Sequence, residues 1–280
     1  MPPSSGEAGP VQENLPGITD PEIFREFERG AAAVRIAELE VNPELVSGDF
    51  DVDLLQRIHH YILRDVYPWA GRQRTSDTRA MGLVHCRPDN ISQELDRVFR
   101  AIARDRPSST DPDAAAATVA EHWGELTTIH PFQDGNSRTQ RVFFTRYMNA
   151  AGWDIDWTVV NASAVHAARH VAMATVDSSF LAAELRPGVV PAGTAPAGTL
   201  TRTQGQRDNR TSVELYQAMR AHKRAGLPAS SFRAAVAARG PLAAGSGPAP
   251  LGRPPRTDNP RHIRPSSVSS QPHSGRGRGQ

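Results

Sequence analysis

The sequence predicts a mainly α protein: a helical domain with a small β-hairpin flap, followed by a disordered C-terminal tail. Three observations lead there. Apolar residues recur at helical spacing through most of residues 20–185. One stretch inside that span, "GRQRTSDTRAMGLVHCRPDN", loses the spacing and holds two glycines and a proline. Beyond Pro187 the composition turns to Pro, Gly, Ser and Arg.

The elements follow in order. Residues 1–19 are Pro/Gly/Ser-rich and are expected to be disordered. A first helix starts at Asp20-Pro21, an N-cap followed by proline at the first position, with Ile23, Phe24, Phe27 and Val34 as its expected core residues. A second helix reads from Asp51 to about Val66 through Leu54, Leu55, Ile58 and Ile62, and Pro68 stops it. Thr75 to Arg87 reads as a hairpin or irregular flap. Helices return at Ile91 to Arg104, from Asp111-Pro112 to Ile129, and from Arg138 to Ala151, the last ended by Gly152. "NASAVHAARHVAMATVDSSFLAAEL" supplies one more, capped by Asn161 or Ser163. The domain is therefore set at 20–185, a linker at 186–210, a single amphipathic helix within 211–240 and a disordered basic tail at 241–280.

Charge divides the chain in the same place. Residues 1–185 carry a net −10 and residues 186–280 a net +12, which together make the overall +2. The basic tail has three readings: solvated disorder, a salt-sensitive contact with nucleic acid or another acidic surface, or a secretion signal. The single cysteine, Cys86, excludes an intramolecular disulfide. No apolar run approaches the ~20 residues that span a bilayer, and the first ten residues lack the basic and apolar regions of a secretory signal. A cytoplasmic protein without a membrane role is expected.

The densest chemistry is "IHPFQDGNSRTQR", Ile129 to Arg141. It joins the end of one helix to the start of the next through Gly135 and Asn136, which accept backbone angles that other residues avoid. Such a turn aims successive N–H groups into a concavity, and the following helix N-terminus adds its positive dipole. Arg138 and Arg141 are three apart, on one face near that N-terminus, where two cations call for an anionic partner. Asp134 would repel a phosphate unless a hard divalent cation such as magnesium lay between them. His130 has the ordinary pKa of a general base near neutrality, and Phe132 is expected to anchor the loop in the core. His166 and His170 lie one helical turn apart but lack the glutamate and further ligands of a zinc site. His59 and His60 are adjacent and cannot share a helix face.

From His130 to Arg141 the chain resembles the Fic/Doc signature, His-Pro-Phe-x-Asp/Glu-Gly-Asn-Gly-Arg-x-x-Arg, at every fixed position but one. "IHHYILRDVYPWAGRQRT" upstream and "AAGWDIDW" downstream are also similar to the family, so the resemblance covers roughly residues 20–185. It implies a Fic-type helical fold and a protein adenylyltransferase. His130 would deprotonate a Ser, Thr or Tyr hydroxyl of a target protein, AMP would pass to it from ATP, and Asp134 would hold Mg2+. Gly135, Asn136 and Ser137 would form the anion hole, with Arg138 and Arg141 on the distal phosphates. The target would dock by β-augmentation on the Thr75–Arg87 flap.

The departure is Ser137, where the family usually has a second glycine. A positive φ there would strain serine, whereas a position already inside the helix would make it harmless and add a hydroxyl. Two alternatives follow from the departure: the same fold with another donor or with phosphotransfer, and a binding module without catalysis. The family's inhibitory Ser/Thr-x-x-x-Glu-Gly/Asn motif is absent, since the one glutamate before Gly or Asn, Glu13, has Gly9 four residues earlier. Restraint by a separate antitoxin-like protein, in a toxin or a translocated effector, or no restraint at all, is the expectation.

Overall fold

The computed structural model describes residues 11–202 and 208–238. Its elements are α1 (Pro21–Val41), α2 (Val52–Leu63), strands β1 (Arg79–Ala80) and β2 (Leu83–Val84), α3 (Ile91–Arg104), α4 (Pro112–Ile129) and α5 (Asn136–Asn149). After these come β3 (Trp153–Ile155), α6 (Ala162–Thr175), α7 (Ser179–Leu185), β4 (Val189–Pro191), α8 (Asn209–Arg224) and α9 (Phe232–Ala238). β1 and β2 form the expected antiparallel hairpin.

The helix starts follow the capping residues. Asp20, Asp51 and Asp111 each accept first-turn N–H groups. The core runs beneath α4 and α5, where Trp123, Phe132, Phe143, Phe144, Tyr147 and Trp157 are almost completely enclosed. Tyr147 Oη donates to the Ile102 carbonyl at 2.6 Å, and Trp157 Nε1 to Thr145 Oγ1 at 3.0 Å. Both large rings therefore satisfy their polar tips inside the core.

Several expectations fail for physical reasons. In α1 only Phe24 of the four expected core residues is buried; Ile23, Phe27 and Val34 face solvent, and Ala32, Ile36 and Leu39 take their place. Small Ala32 permits close approach, which a reading based on large apolar residues overlooks. α5 begins two residues before Arg138. The helix expected across 161–185 breaks at Val176, which turns left-handed (φ 52°), and Asp177 then accepts the Ser179 N–H to restart the chain as α7. Residues 11–19 are held, not loose: the Asn14 side chain closes a turn onto Gln12 and Ile18, and the Leu15 N–H donates to the Val66 carbonyl.

The expected linker at 186–210 is the largest correction. Val189–Pro191 pair with Trp153–Ile155 in an antiparallel ladder, and Leu200 is buried against the core. The Pro and Gly residues of 186–202 punctuate a folded segment, and residues 203–207 lie outside the described residues. α8 then packs along α6, burying Leu215, Tyr216 and Met219, so the folded unit continues past 185, and 211–240 holds two helices instead of one. The tail at 241–280 lies outside the described residues.

Candidate functional site

α4 ends where His130 turns left-handed (φ 50°, ψ 62°), a conformation that is uncommon outside glycine. The buried Arg74 guanidinium holds the turn. Its Nε donates to the His130 carbonyl at 2.7 Å and its Nη2 to the Ile129 carbonyl at 3.1 Å. The same side chain reaches the Ser76 and Cys86 carbonyls, tying the flap to the turn.

His59 braces the loop from the other side. Fully enclosed on α2, it accepts the Gly71 N–H at Nδ1 (2.7 Å), so Nε2 carries the proton and donates to the Asp134 carbonyl at 3.0 Å. Its ring stacks on Phe132 with centroids 3.8 Å apart. Phe132 thus anchors the loop as expected. Asn136 turns its side chain inward, accepting the Phe132 N–H and donating to the Phe132 carbonyl, so it contributes loop closure and a first-turn N–H. Gly135 (φ 76°) precedes α5, and no side chain caps the helix start, which leaves the first-turn N–H groups open to an anion.

Ser137 sits inside the first turn of α5 and needs no positive φ. Its hydroxyl accepts from Arg169 of α6 at 2.8 Å. Arg169 also donates to Thr127 and Gln140 from a buried position beside Trp123. The serine departure therefore carries its own partner.

The two signature arginines differ sharply. Arg138 pairs with Glu28 of α1 and lies 3.3 Å from Asp134. Arg141 makes no ion pair among the described residues; its Nε is buried without a partner and its guanidinium lies 5.6 Å from the Trp157 ring centroid. Burial, with Arg138 adding to it, pushes the Arg141 pKa down to about 10. A half-buried cation beside an uncapped helix start favours an anion.

His130 is neutral by construction of its surroundings. Burial first, then the charges of His85, Arg169, His170 and Arg74, push its pKa down to about 2. His85, just after β2, stacks on it with centroids 3.9 Å apart and planes 5° from parallel. His130, Asp134, Ser137, Arg138, Arg141 and Arg169 all line one open cavity of about 920 Å³. Asp134 is 45% exposed at its side chain, so one carboxylate with phosphate and water ligands suits a hard cation such as magnesium. Among the described residues no cluster of three or more His, Cys, Asp or Glu could hold a metal without such a ligand.

All seven expected site residues converge here. Glu28, His59, Arg74, His85 and Arg169 belong to the same site and were not expected. Nothing local marks them, because each acts through tertiary contact; the paired His59-His60 beside the Pro-Trp-Ala-Gly turn was the nearest signal.

Comparison with known proteins places the fold in a known family. Residues 49–148 match the model of the Fic/DOC family. The chain is 34% identical over 148 residues to the probable protein adenylyltransferase y4lH of Sinorhizobium fredii, covering 52% of this chain and 74% of that one. It is 32% identical over 148 residues to the protein adenylyltransferase VbhT of Bartonella schoenbuchensis, covering 52% of this chain but only 30% of VbhT. Among solved structures, BepC of Bartonella tribocorum, a VirB-translocated effector with bound AMPPNP, superposes with a TM-score of 0.59 at 21% identity, covering 66% of this chain and 95% of that one. The Fic domain of a Bep effector from Bartonella quintana with bound ADP gives 0.57 at 24% identity, over 65% and 92% of the two chains. These last two speak for the fold. With the fold, the helix–loop–helix site and the y4lH match in agreement, the chain belongs to the Fic/DOC family.

Proposed function

We propose that this chain transfers AMP from ATP to a Ser, Thr or Tyr hydroxyl of a target protein. The observation that carries the reading is the half-buried Arg141, its buried Nε without a partner, beside the open first turn of α5 and in one cavity with a neutral His130. A polyphosphate supplies the missing charge, and the neutral imidazole takes the hydroxyl proton. The target oxygen then forms its bond to the α-phosphorus, the bond from that phosphorus to the α–β bridging oxygen breaks, and pyrophosphate leaves. The first-turn N–H groups of α5 and Arg141 hold the phosphates in line, so positioning and charge stabilisation supply the catalysis. A magnesium ion at Asp134 would neutralise phosphate charge.

Relatives named protein adenylyltransferases support the activity, and a neighbour of the same fold with bound AMPPNP supports the nucleotide. The target docks on the flap edge at β1–β2, where Val84 is exposed. Restraint comes from a separate protein, as the absence of the inhibitory motif suggests. No helix among the described residues is long and apolar enough to cross a membrane.

Intact-mass measurement of the purified chain incubated with Mg-ATP, wild type against His130→Ala, tests the proposal. A gain of one AMP in the wild type alone is expected. A gain of one phosphate would point to phosphotransfer, and nucleotide binding with no modified product, even on added acceptor proteins, would point to a binding module.

A further inference from the structure

His85 is not part of the signature, yet its ring stacks directly on that of the proposed base. The two imidazoles lie face to face, 3.9 Å between centroids and 5° from parallel. His85 is 4% exposed, and its Nε2 is buried with no partner among the described residues, as is His130 Nδ1. It is fixed twice to Thr78 across the hairpin. Its backbone N–H donates to the Thr78 carbonyl at 3.1 Å, and its Nδ1 shares a hydrogen bond with Thr78 Oγ1 at 2.9 Å. The flap thus carries a rigid, titratable ring pressed flat against the base.

We propose that His85 is a positioning residue for His130, fixing the plane of its ring from the flap and, through the stacked contact, admitting only one proton to the pair. This rests on the reading of His130 as the base. Two parallel rings at contact distance, one enclosed and one half-buried, oppose each other's charge, so the pair titrates as a coupled unit. The other charged or titratable neighbours of His130 are Arg74 from the segment before β1 and Arg169 and His170 from α6, all of which oppose a second positive charge. Burial holds His85 down to about 4 and His130 to about 2, so the first proton goes to His85 and leaves His130 uncharged but repelled from taking its own. An apolar ring at 85 would give the same stacking without that repulsion.

The test is an NMR titration of the His130 ring in the full chain, wild type against His85→Phe, which requires neither target nor turnover. Phenylalanine keeps the stacked shelf and removes the second titrating group. The His130 midpoint is expected to rise by about one pH unit or more in His85→Phe. His85→Leu removes the same titrating group without an aromatic ring and serves should the first variant fail to fold; its His130 midpoint is expected to rise as well. Unchanged midpoints in the folded variants would overturn the proposal and leave His85 as packing alone. Where AMP transfer is measurable, the acid limb of its pH–rate profile should move to higher pH in His85→Phe. Absence of AMP transfer alongside shifted midpoints would reject the proposed activity while leaving the coupling intact.

Discussion

Glu28 of α1 forms an ion pair with Arg138, the residue 110 positions later that opens the second half of the signature. Tyr67 donates to the same glutamate at 3.3 Å, and Asp134 Oδ1 lies 3.3 Å from the same Arg138 Nη2 that Glu28 meets. The pair is mostly shielded, with side-chain exposures of 14% for Glu28 and 22% for Arg138. Under the proposed function, an incoming nucleotide and Glu28 would compete for one cation.

The first prediction follows from that competition. Glu28→Gln removes a shielded countercharge, so thermal unfolding should show a loss of about 2–3 kcal/mol. The same variant should bind Mg-ATP about tenfold more tightly by calorimetry, because Arg138 no longer leaves a carboxylate to meet phosphate. Weaker ATP binding would show instead that Glu28 orients Arg138 toward the ligand.

Gly135 gives a second prediction, because two separate costs meet there. It has φ 76°, and a Cβ would come within 2.4 Å of Leu63 Cδ1 and 3.2 Å of His59 Nε2. Gly152 shares the positive φ (89°) but has nothing within 4 Å of its Cβ position. Gly152→Ala should cost only the backbone strain, about 1 kcal/mol, and leave ATP binding intact. Gly135→Ala should cost more and displace the loop between His59 and α5, lowering AMP transfer by about 100-fold. Equal effects of the two substitutions on activity would disprove the loop's role.

How far the sequence spoke for the site depended on how local each contribution is. The signature is contiguous, so His130 to Arg141 and the caps Asp20 and Asp111 could be read directly. Arg74 could not: its four carbonyl partners lie at Ser76, Cys86, Ile129 and His130, and only folding brings them to one guanidinium. The segment after Pro187 misled for a different reason. Its Pro and Gly content is that of a linker, but Val189 and Leu200 are buried once β4 finds β3, a pairing across more than thirty residues of sequence that no local pattern encodes.

Three histidine rings, two enclosed and one half-buried, set a third prediction, on pH. His59 and His85 are held down to about 4 and His130 to about 2, in each case chiefly by burial, against an ordinary 6.5. His59 also has both nitrogens engaged as a neutral ring, so protonating Nδ1 would break its bond to Gly71. Below 6.5 the unfolded chain takes up protons that the folded chain refuses, so stability is complete above that pH and is lost as pH falls toward 4. Urea denaturation should show a loss of the order of 1–2 kcal/mol per ring between pH 7.5 and 5, with an unchanged slope. Flat stability across that window would mean that the rings titrate freely in the folded state.

The last prediction concerns Ser137, the one departure from the signature. If serine were a defect, Ser137→Gly would repair the site. The geometry argues the reverse. Ser137 lies within the first turn of α5 at ordinary helical angles, where glycine relieves no strain and costs up to about 1 kcal/mol of helix propensity. Glycine would also strip Arg169 of the hydroxyl it meets at 2.8 Å, a charge-assisted bond worth about 1.5–3 kcal/mol. Ser137→Gly should therefore destabilise the chain by about 2 kcal/mol and lower AMP transfer, while Ser137→Thr, which keeps the hydroxyl, should fall between glycine and wild type. Parallel unfolding and intact-mass measurements decide it: a glycine variant that is more active than wild type at equal stability would show that Arg169 makes no use of the serine.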